Sequence, residues 1–450
     1  MGIFKACDIR GVAEHDLTND VAIKIAQAIG VKLSGKTVVV GGDYRLSTER
    51  LKNILIYQLQ ESGCKVLDVG TVATPMFYFA IKSIQADGGV MVTASHNPAE
   101  YNGFKLVLGN MPIEEREVKE IATLVKQGAC IRQNGSVTKL NIVSDYIKKT
   151  AKLAKSGSLK LVIDAGNGAV SKYAPALYRE CGFEVVELFC DPDGNFPNRS
   201  PNPAYPQNLV KLAAKVKEVD ADMGLAFDGD GDRVAFVDEN GRAVDNDDIL
   251  VLLAKCYLEK QAGAIIYDAK CSMVVPEEII KAGGRPVMAR AGHTFSKRAF
   301  INEKALFAGE ISGHFFFCEL GYDDGMFAGL KMCEYVESQG KLSQLIDDIP
   351  NYLLTTEARV AYSGDDKESI LQSIAANLQK YKLNLIDGVR LEFADGWGMI
   401  RSSVTEPLFT LRFEAKTNER LREIQRILIS AVPLSIRAAV LQEVEKMNDK

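Results

Sequence analysis

Phe227-Asp228-Gly-Asp230-Gly-Asp232-Arg233 sets three carboxylates at alternating positions with glycine between them. Alternation lets the acids converge on one hard cation, and the glycines let the backbone wrap closely around it. An EF-hand loop is the rival pattern, because Glu239 falls at its twelfth position, but Arg233 stands at the sixth, where that loop needs glycine. Met223 to Phe227 and Val234 to Val237 read as strands, whereas an EF-hand is flanked by helices. A bare acidic turn is the remaining reading, and three unpaired carboxylates this close repel one another without a counter-ion. Thr93-Ala-Ser95-His96-Asn97-Pro98 follows the apolar run Gly89 to Val92 and precedes Gly103-Phe104-Lys105. A serine at a strand end, with a histidine beside it and a lysine nearby, suits a nucleophile or phosphate carrier; it equally suits a turn ahead of Pro98. No carboxylate partner for a Ser-His-Asp triad is assignable, and no GxSxG elbow occurs.

Gly309-Glu310-Ile-Ser312-Gly313-His314 is polar and glycine-rich between two apolar runs, as a loop offering side chains to sugar hydroxyls would be. His293 and Lys270 are candidates for the same cleft. Arg401, Ser403 and Thr405 combine a guanidinium with two hydroxyls, which suits a phosphate dianion, and Arg10 offers another guanidinium near the start. Two lookalikes fail on context. Gly30 to Thr37 matches the P-loop expression, but a helix precedes it and a strand follows, the reverse of what a phosphate-cradling loop needs. Gly166-Asn-Gly168 resembles a truncated dinucleotide fingerprint with Ser171 in place of the third glycine, and reads as a tight strand-to-helix turn.

The elements that must position these residues repeat. Thr37 to Asp43, Leu159 to Asp164 and Ala264 to Asp268 are β-branched runs ending in Asp. Each leads to a helical stretch (Ser47 to Ser62, Ser171 to Cys181, Val274 to Ala282), a glycine and a second strand, which is the βαβ signature. Three similar α/β domains of roughly a hundred residues each are expected, with parallel strands predominating. From about residue 355 the strand-like runs Arg390 to Ala394, Gly398 to Ser402 and Leu408 to Glu414, then a helix over Asn418 to Ser430, predict a smaller α+β domain. The expected division is 1–140, 141–241, 242–354 and 355–450.

The chain of 450 residues is long enough for several cores, and 47% hydrophobic with 25% charged residues is a soluble globular composition. With 54 Lys+Arg against 59 Asp+Glu, the net charge is only -5, and no basic stripe suits nucleic acid. No apolar run reaches a membrane span and no signal peptide is visible, so a cytoplasmic protein is expected. Nine scattered cysteines without a CxxC suggest neither disulfides nor zinc. Nothing in the sequence speaks to oligomeric state.

Together, in this order and spacing, TASHNP, DGDGDR and GExSGH resemble the α-D-phosphohexomutase superfamily, most closely its phosphomannomutase/phosphoglucomutase branch, over essentially the whole chain. The resemblance implies an α/β fold: three mixed α/β domains and a smaller C-terminal α+β domain around a central cleft. It implies that Ser95 carries a phosphate to a hexose 1- or 6-phosphate, giving a hexose 1,6-bisphosphate that reorients and returns the other phosphate. It also implies Mg²⁺ held by Asp228, Asp230, Asp232 and an oxygen on Ser95, and charge compensation from Arg10, Lys105 and Arg233. Lys105 and His314 are then the proton-transfer candidates, and His96 supports the phosphoserine. Lys270, His293, Glu310 and Ser312 contact the sugar, and Arg401, Ser403 and Thr405 the distant phosphate. The chain departs from the branch at Val404, where Asn is usual, at Cys7 in place of a frequent Tyr, and at Arg290 in place of Lys. DGDGDR with Glu310 and Ser312 weighs against the phosphoglucosamine mutase branch. An amino-sugar or pentose phosphate on the same scaffold is the alternative substrate. A non-catalytic sugar-phosphate-binding protein is the third reading, against which the intact Ser95, Lys105 and three aspartates count.

Overall fold

A computed structural model describes residues 2–403 and 406–448. The first sheet contains β1 (Ile9–Val12), β2 (Thr37–Gly42), β3 (Lys65–Thr71), β4 (Gly88–Val92), β5 (Tyr101–Leu108), β6 (Met111–Pro112) and β7 (Ser136–Lys139). Its order is β1-β5-β4-β2-β3-β7, with β6 on β5. The second sheet takes β8 (Lys160–Asp164), β9 (Glu184–Leu188), β10 (Met223–Phe227), β11 (Val234–Asp238) and β12 (Ala243–Val244) in the order β12-β11-β10-β8-β9. The third takes β13 (Ala264–Asp268), β14 (Arg285–Ala289), β15 (Phe307–Gly309), β16 (Phe315–Phe317) and β17 (Tyr322–Asp323) in the order β14-β13-β15-β16-β17.

One topology recurs. The β-branched run of each repeat becomes a buried strand (β2, β8, β13) between two parallel neighbours, and one of these (β4, β10, β15) then pairs with an antiparallel strand (β5, β11, β16). The expected predominance of parallel strands is therefore corrected: each sheet joins a parallel core to an antiparallel extension. The physical reason lies in the loops. Parallel strands need a crossover of a dozen residues or more, whereas a short polar segment can only turn the chain back antiparallel. TASHNP, DGDGDR and GEISGH are those short connections, at equivalent places in the three sheets. The crossover helices Thr48–Glu61, Tyr173–Glu180 and Val274–Lys281 lie where the repeat predicts them, the first burying Leu51, Leu55 and Leu59 along one face.

A single apolar core passes through all three α/β units, from Met76 and Phe77 through Tyr178 and Phe227 to Phe317 and Phe327. The C-terminal unit has its own core, built on a sheet of β18 (Leu353–Leu354), β19 (Ala358–Ala361), β20 (Lys382–Asn384), β21 (Val389–Phe393), β22 (Gly396–Ser402) and β23 (Leu408–Ala415). Its strands pair antiparallel throughout. The predicted helix spans Asn418–Ala431, and two further helices were not anticipated, Lys367–Asn377 and Leu434–Asn448. Ile436, Val440 and Val444 of the last helix are buried at the four-residue spacing that seats one helical face on a core. Among the described residues a small apolar cluster of Ala269, Trp397 and Met399 spans the third and fourth units, and hydrogen bonds such as Arg390 Nη1 to Ala269 O at 2.5 Å and Met273 N to Glu414 Oε2 at 2.7 Å join them. Among the described residues no helix is long and apolar enough to cross a membrane.

Candidate active site

The three short connections lie together because an aspartate at the end of each central strand ties one down. Asp43, following β2, is buried and accepts from Thr48 Oγ1 and Thr93 Oγ1, both at 2.7 Å, and from Arg45 Nε at 3.2 Å. Arg45 spends its other donors on the serine loop, reaching Ser95 O at 2.7 Å, Asn97 O at 2.6 Å, Pro98 O at 2.6 Å and Tyr101 O at 3.0 Å. Asp164 at the end of β8 pairs with Arg199 at 2.8 Å, and Arg199 Nη2 donates to Phe227 O at 2.7 Å, just before the acidic loop. Asp268 at the end of β13 accepts from Ile311 N at 3.1 Å within GEISGH. The repeat exposed these aspartates in the sequence, but Arg45 and Arg199 carried no local signal of their partners.

Held this way, Ser95 takes the left-handed conformation, with φ of 50°. Its Oγ donates to Asp228 Oδ2 at 2.8 Å and lies 3.2 Å from His96 Nδ1. Gly229 permits the approach, since a Cβ there would sit 2.4 Å from Ser95 O. Gly231, at φ of 79°, turns the acidic loop, whose backbone N–H donates to Asp228 Oδ1 at 2.9 Å. Asp228, Asp230 and Asp232 are fully buried, and each places a carboxylate oxygen within 4.8 Å of the others. Asp230 Oδ1 has no hydrogen-bond partner among the described residues. A buried orphan oxygen within an all-carboxylate donor set fits a hard cation.

Charge is graded across this cluster. Burial, then the neighbouring Asp230 and Asp232, push the Asp228 carboxyl well above the usual range. Burial also raises Asp232, but Lys105, His314 and Arg233 outweigh it and hold this carboxyl well below. Lys105 Nζ lies 2.6 Å from Asp232 Oδ2 and 3.2 Å from Asp230 Oδ2. Burial favours its neutral amine, yet the two carboxylates keep it firmly protonated. His314 Nε2 sits 3.3 Å from Asp232 Oδ1, and Nδ1 lies 3.0 Å from Ser312 Oγ and 3.5 Å from Glu310 Oε2. Burial and Arg233 pull this imidazole down, but Asp232 and Glu310 prevail and push it up to about 10. Burial, with Arg233 and Arg10 nearby, keeps His96 well below its ordinary value and hence neutral.

A cleft of about 350 Å³ opens above the cluster. Ser95, His96, Lys105, Arg10 and Arg233 line it, with Lys270, His293, Glu310, Ser312 and His314 of the third unit and Arg401 and Ser403 of the C-terminal unit. The three aspartates are buried and do not line the cavity themselves, and Thr405 and Val404 lie outside the described residues. The antiparallel register of β1 on β5 brings Arg10 opposite Gly103, so a short N-terminal strand that the sequence reading did not identify delivers that guanidinium. Arg10 Nη1 donates to Asn97 Oδ1 at 2.5 Å. Other functional positions went unread. Asp323 on β17 accepts from His293 Nε2 at 2.9 Å, Thr74 Oγ1 donates to Asp230 Oδ2 at 2.6 Å, and Glu357 and Arg359 join the rim from β19 and its approach.

Models of the four phosphoglucomutase/phosphomannomutase domains match the chain in order: the α/β/α domains I, II and III at residues 1–130, 142–241 and 245–352, and the C-terminal domain at 357–430. A phosphomannomutase/phosphoglucomutase of Pseudomonas syringae is 41% identical over 435 residues, covering 94% of each chain. A phosphoglucomutase of Neisseria gonorrhoeae is 39% identical over 438 residues, covering 94% of this chain and 95% of its own. The crystal structure of a phosphoglucomutase/phosphomannomutase family protein from Burkholderia thailandensis superposes with a TM-score of 0.90 at 37% identity, covering 97% of both chains.

Proposed function

We infer the reaction from the premise that this chain belongs to the phosphoglucomutase/phosphomannomutase family. It is a phosphohexomutase, an isomerase that interconverts hexose 1-phosphate and hexose 6-phosphate, with mannose and glucose phosphates as its substrates. The observation that carries this reading is the placement of Ser95 Oγ, 2.8 Å from Asp228 in a buried trio of aspartates, in a cleft also lined by Arg401 and Ser403 of the C-terminal unit.

The phosphate on Ser95 passes to the free hydroxyl of the bound monophosphate; its P–O bond to serine breaks as the bond to the sugar oxygen forms. The hexose 1,6-bisphosphate turns over in the cleft and the other phosphate returns to Ser95. Arg10, Lys105 and Arg233 face this step and offset charge on the transferring group, where positioning and electrostatics supply most of the catalysis. Lys105 and His314 are the proton-transfer candidates. Held protonated against burial by Asp230, Asp232 and Glu310, they act first as donors to the phosphoryl oxygens, and one must shed its proton before it can take that of the sugar hydroxyl, while neutral His96 orients the serine oxygen. Glu310 and Ser312 bond the sugar hydroxyls, with Lys270 and His293 beside them. Arg401 and Ser403, with Thr405, hold the phosphate that is not reacting. Asp228, Asp230 and Asp232 would hold Mg²⁺, which when bound supplies positive charge against the phosphoryl oxygens.

The test is intact-mass measurement of purified protein with peptide mapping, paired with a coupled assay on glucose 1-phosphate and mannose 1-phosphate. One phosphate on Ser95 and turnover dependent on a trace of hexose 1,6-bisphosphate are expected. Turnover with no phosphate ever trapped on Ser95 would overturn the carrier assignment.

A further inference from the structure

We propose that a second cavity, between the first and third α/β units and outside the catalytic cleft, binds a small organic carboxylate: one anionic head on an apolar body. The cavity measures about 490 Å³, within the size range of small-molecule sites. It lies between the helix Thr74–Ile84, the end of β5, β17 and the helix His293–Asn302. Ile81, Val107, Ile301 and the rings of Tyr78 and Tyr322 make its walls apolar.

Its charge is one-sided. Two lysines line it, Lys82 and Lys297, and no Asp or Glu does. Lys82, towards the outside, donates to Leu320 O at 2.6 Å. Lys297 is 2% exposed and makes no hydrogen bond or ion pair with any described residue; its direct charged contact is the face of Tyr78, 4.4 Å from Nζ to the ring centroid, while Asp323 and Lys105 act on it through space without pairing. An ammonium this buried without a counter-ion is costly, and burial, against the raising influence of Asp323, draws it down to about 8. The cavity therefore lacks one negative group, and it has apolar walls for whatever carries that group. A carboxylate reaching Lys297 completes a charge-assisted hydrogen bond in a site of low dielectric.

The site adjoins the catalytic cleft through neighbouring residues. The Tyr78 ring stacks on His293 with centroids 6.2 Å apart, and Tyr322 precedes Asp323, the acceptor of His293 Nε2. An occupant pressing on these two tyrosines would be felt at a residue lining the cleft, although binding itself does not depend on the mutase reaction.

The probes are phenylacetate and its neutral isostere phenylacetamide, titrated into the full wild-type chain by ligand-observed NMR. Phenylacetate is expected to bind at least about tenfold more tightly, as one buried charge-assisted contact provides. Saturating glucose 1-phosphate should not displace it. Lys297→Met should reduce the preference for phenylacetate to about twofold or less, and should melt no lower than wild type because it removes an unpaired buried charge. Equal affinity for the two probes, displacement by glucose 1-phosphate, or an undiminished preference in Lys297→Met would each overturn the proposal. The first two readings need no variant, and loss of mutase turnover would leave all of them intact.

Discussion

Ser95 Oγ donates to Asp228 Oδ2 at 2.8 Å across 133 positions of chain, and this bond joins the turn of the first sheet to the turn of the second. Phosphorylation removes that donor and sets phosphate oxygens beside three carboxylates, so the arrangement requires balancing positive charge from Arg10, Lys105, Arg233 and a cation. Ser95→Ala keeps the loop, which Arg45 holds through main-chain carbonyls, but removes the oxygen proposed to carry the phosphate. Turnover should fall by about a thousandfold or more while the thermal midpoint stays within about 2 °C of wild type. Coupled assays at matched folded fraction check it, and retention of turnover would contradict the covalent route.

The acidic trio predicts an opposition between stability and function. Asp228 accepts from Gly231 N and Arg233 N through Oδ1 and from Ser95 Oγ through Oδ2, bonds that an isosteric amide reproduces with its nitrogen donating to Ser95. Because burial and its two neighbours disfavour its charge, Asp228→Asn should raise the metal-free midpoint by about 2 °C or more. The same change should abolish the rise that Mg²⁺ is expected to give the wild type, and with it most of the turnover. Thermal melts with chelator and with Mg²⁺ measure both parts, and a lower metal-free midpoint for the variant would refute the repulsion argument.

Much of the site was legible because its chemistry sits in contiguous residues: the spacing of DGDGDR limits what three carboxylates can do, and a serine between a strand and Asn-Pro sits at a turn, which the fold buries. The repeat likewise revealed three equivalent α/β units and the strand-end aspartates. What stayed hidden depends on partners distant in sequence. Nothing near Arg45 shows that its guanidinium meets loop carbonyls some 50 positions later, or near Asp323 that it faces His293 and His314. The last helix was missed although Ile436, Val440 and Val444 carry its four-residue spacing, whereas β1 is too short at four residues to show a period. The Arg45 finding is testable. Lysine keeps the charge but cannot reach four carbonyls and Asp43 at once, so Arg45→Lys should lower kcat by about a hundredfold through a misplaced serine. Limited proteolysis should then cut between residues 95 and 101 faster than in wild type, and unchanged kcat would show that the loop holds its shape alone.

Asp387 couples the phosphate rim to the third unit. Its Oδ2 accepts from Arg401 Nε at 2.7 Å and from Ala291 N at 3.2 Å, two residues before His293, while Oδ1 lies 3.4 Å from Arg290 Nε. Asp387 touches none of the reacting atoms; it positions Arg401 and secures the C-terminal unit over the cleft. Asp387→Ala should raise KM about tenfold with a smaller change in kcat, because the distant phosphate is held in ground and transition states alike. Asp387→Asn, whose amide oxygen still accepts from Arg401, should recover most of that loss. A kcat defect with KM unchanged would place the residue in the chemical step instead.

Asp324 gives the fold a pH dependence of defined sign. It caps the helix Gly325–Gln339 by accepting from Phe327 N at 3.0 Å, and Tyr146 OH donates to its other oxygen at 2.7 Å. Burial nevertheless outweighs these bonds and pushes the carboxyl from its ordinary 3.8 up to about 7. A group whose pKa is higher folded than unfolded contributes stability that is complete below the unfolded value and lost as pH rises through the folded one. The window for Asp324 is therefore 3.8 to about 7, with stability falling as pH rises across it. Asp324→Asn cannot titrate and keeps an oxygen for the cap. Its stability relative to wild type should grow across that window by up to a few kcal/mol and then level off. Urea unfolding of both proteins at several pH values measures the difference directly; a difference independent of pH would show that folding leaves the Asp324 carboxyl unshifted.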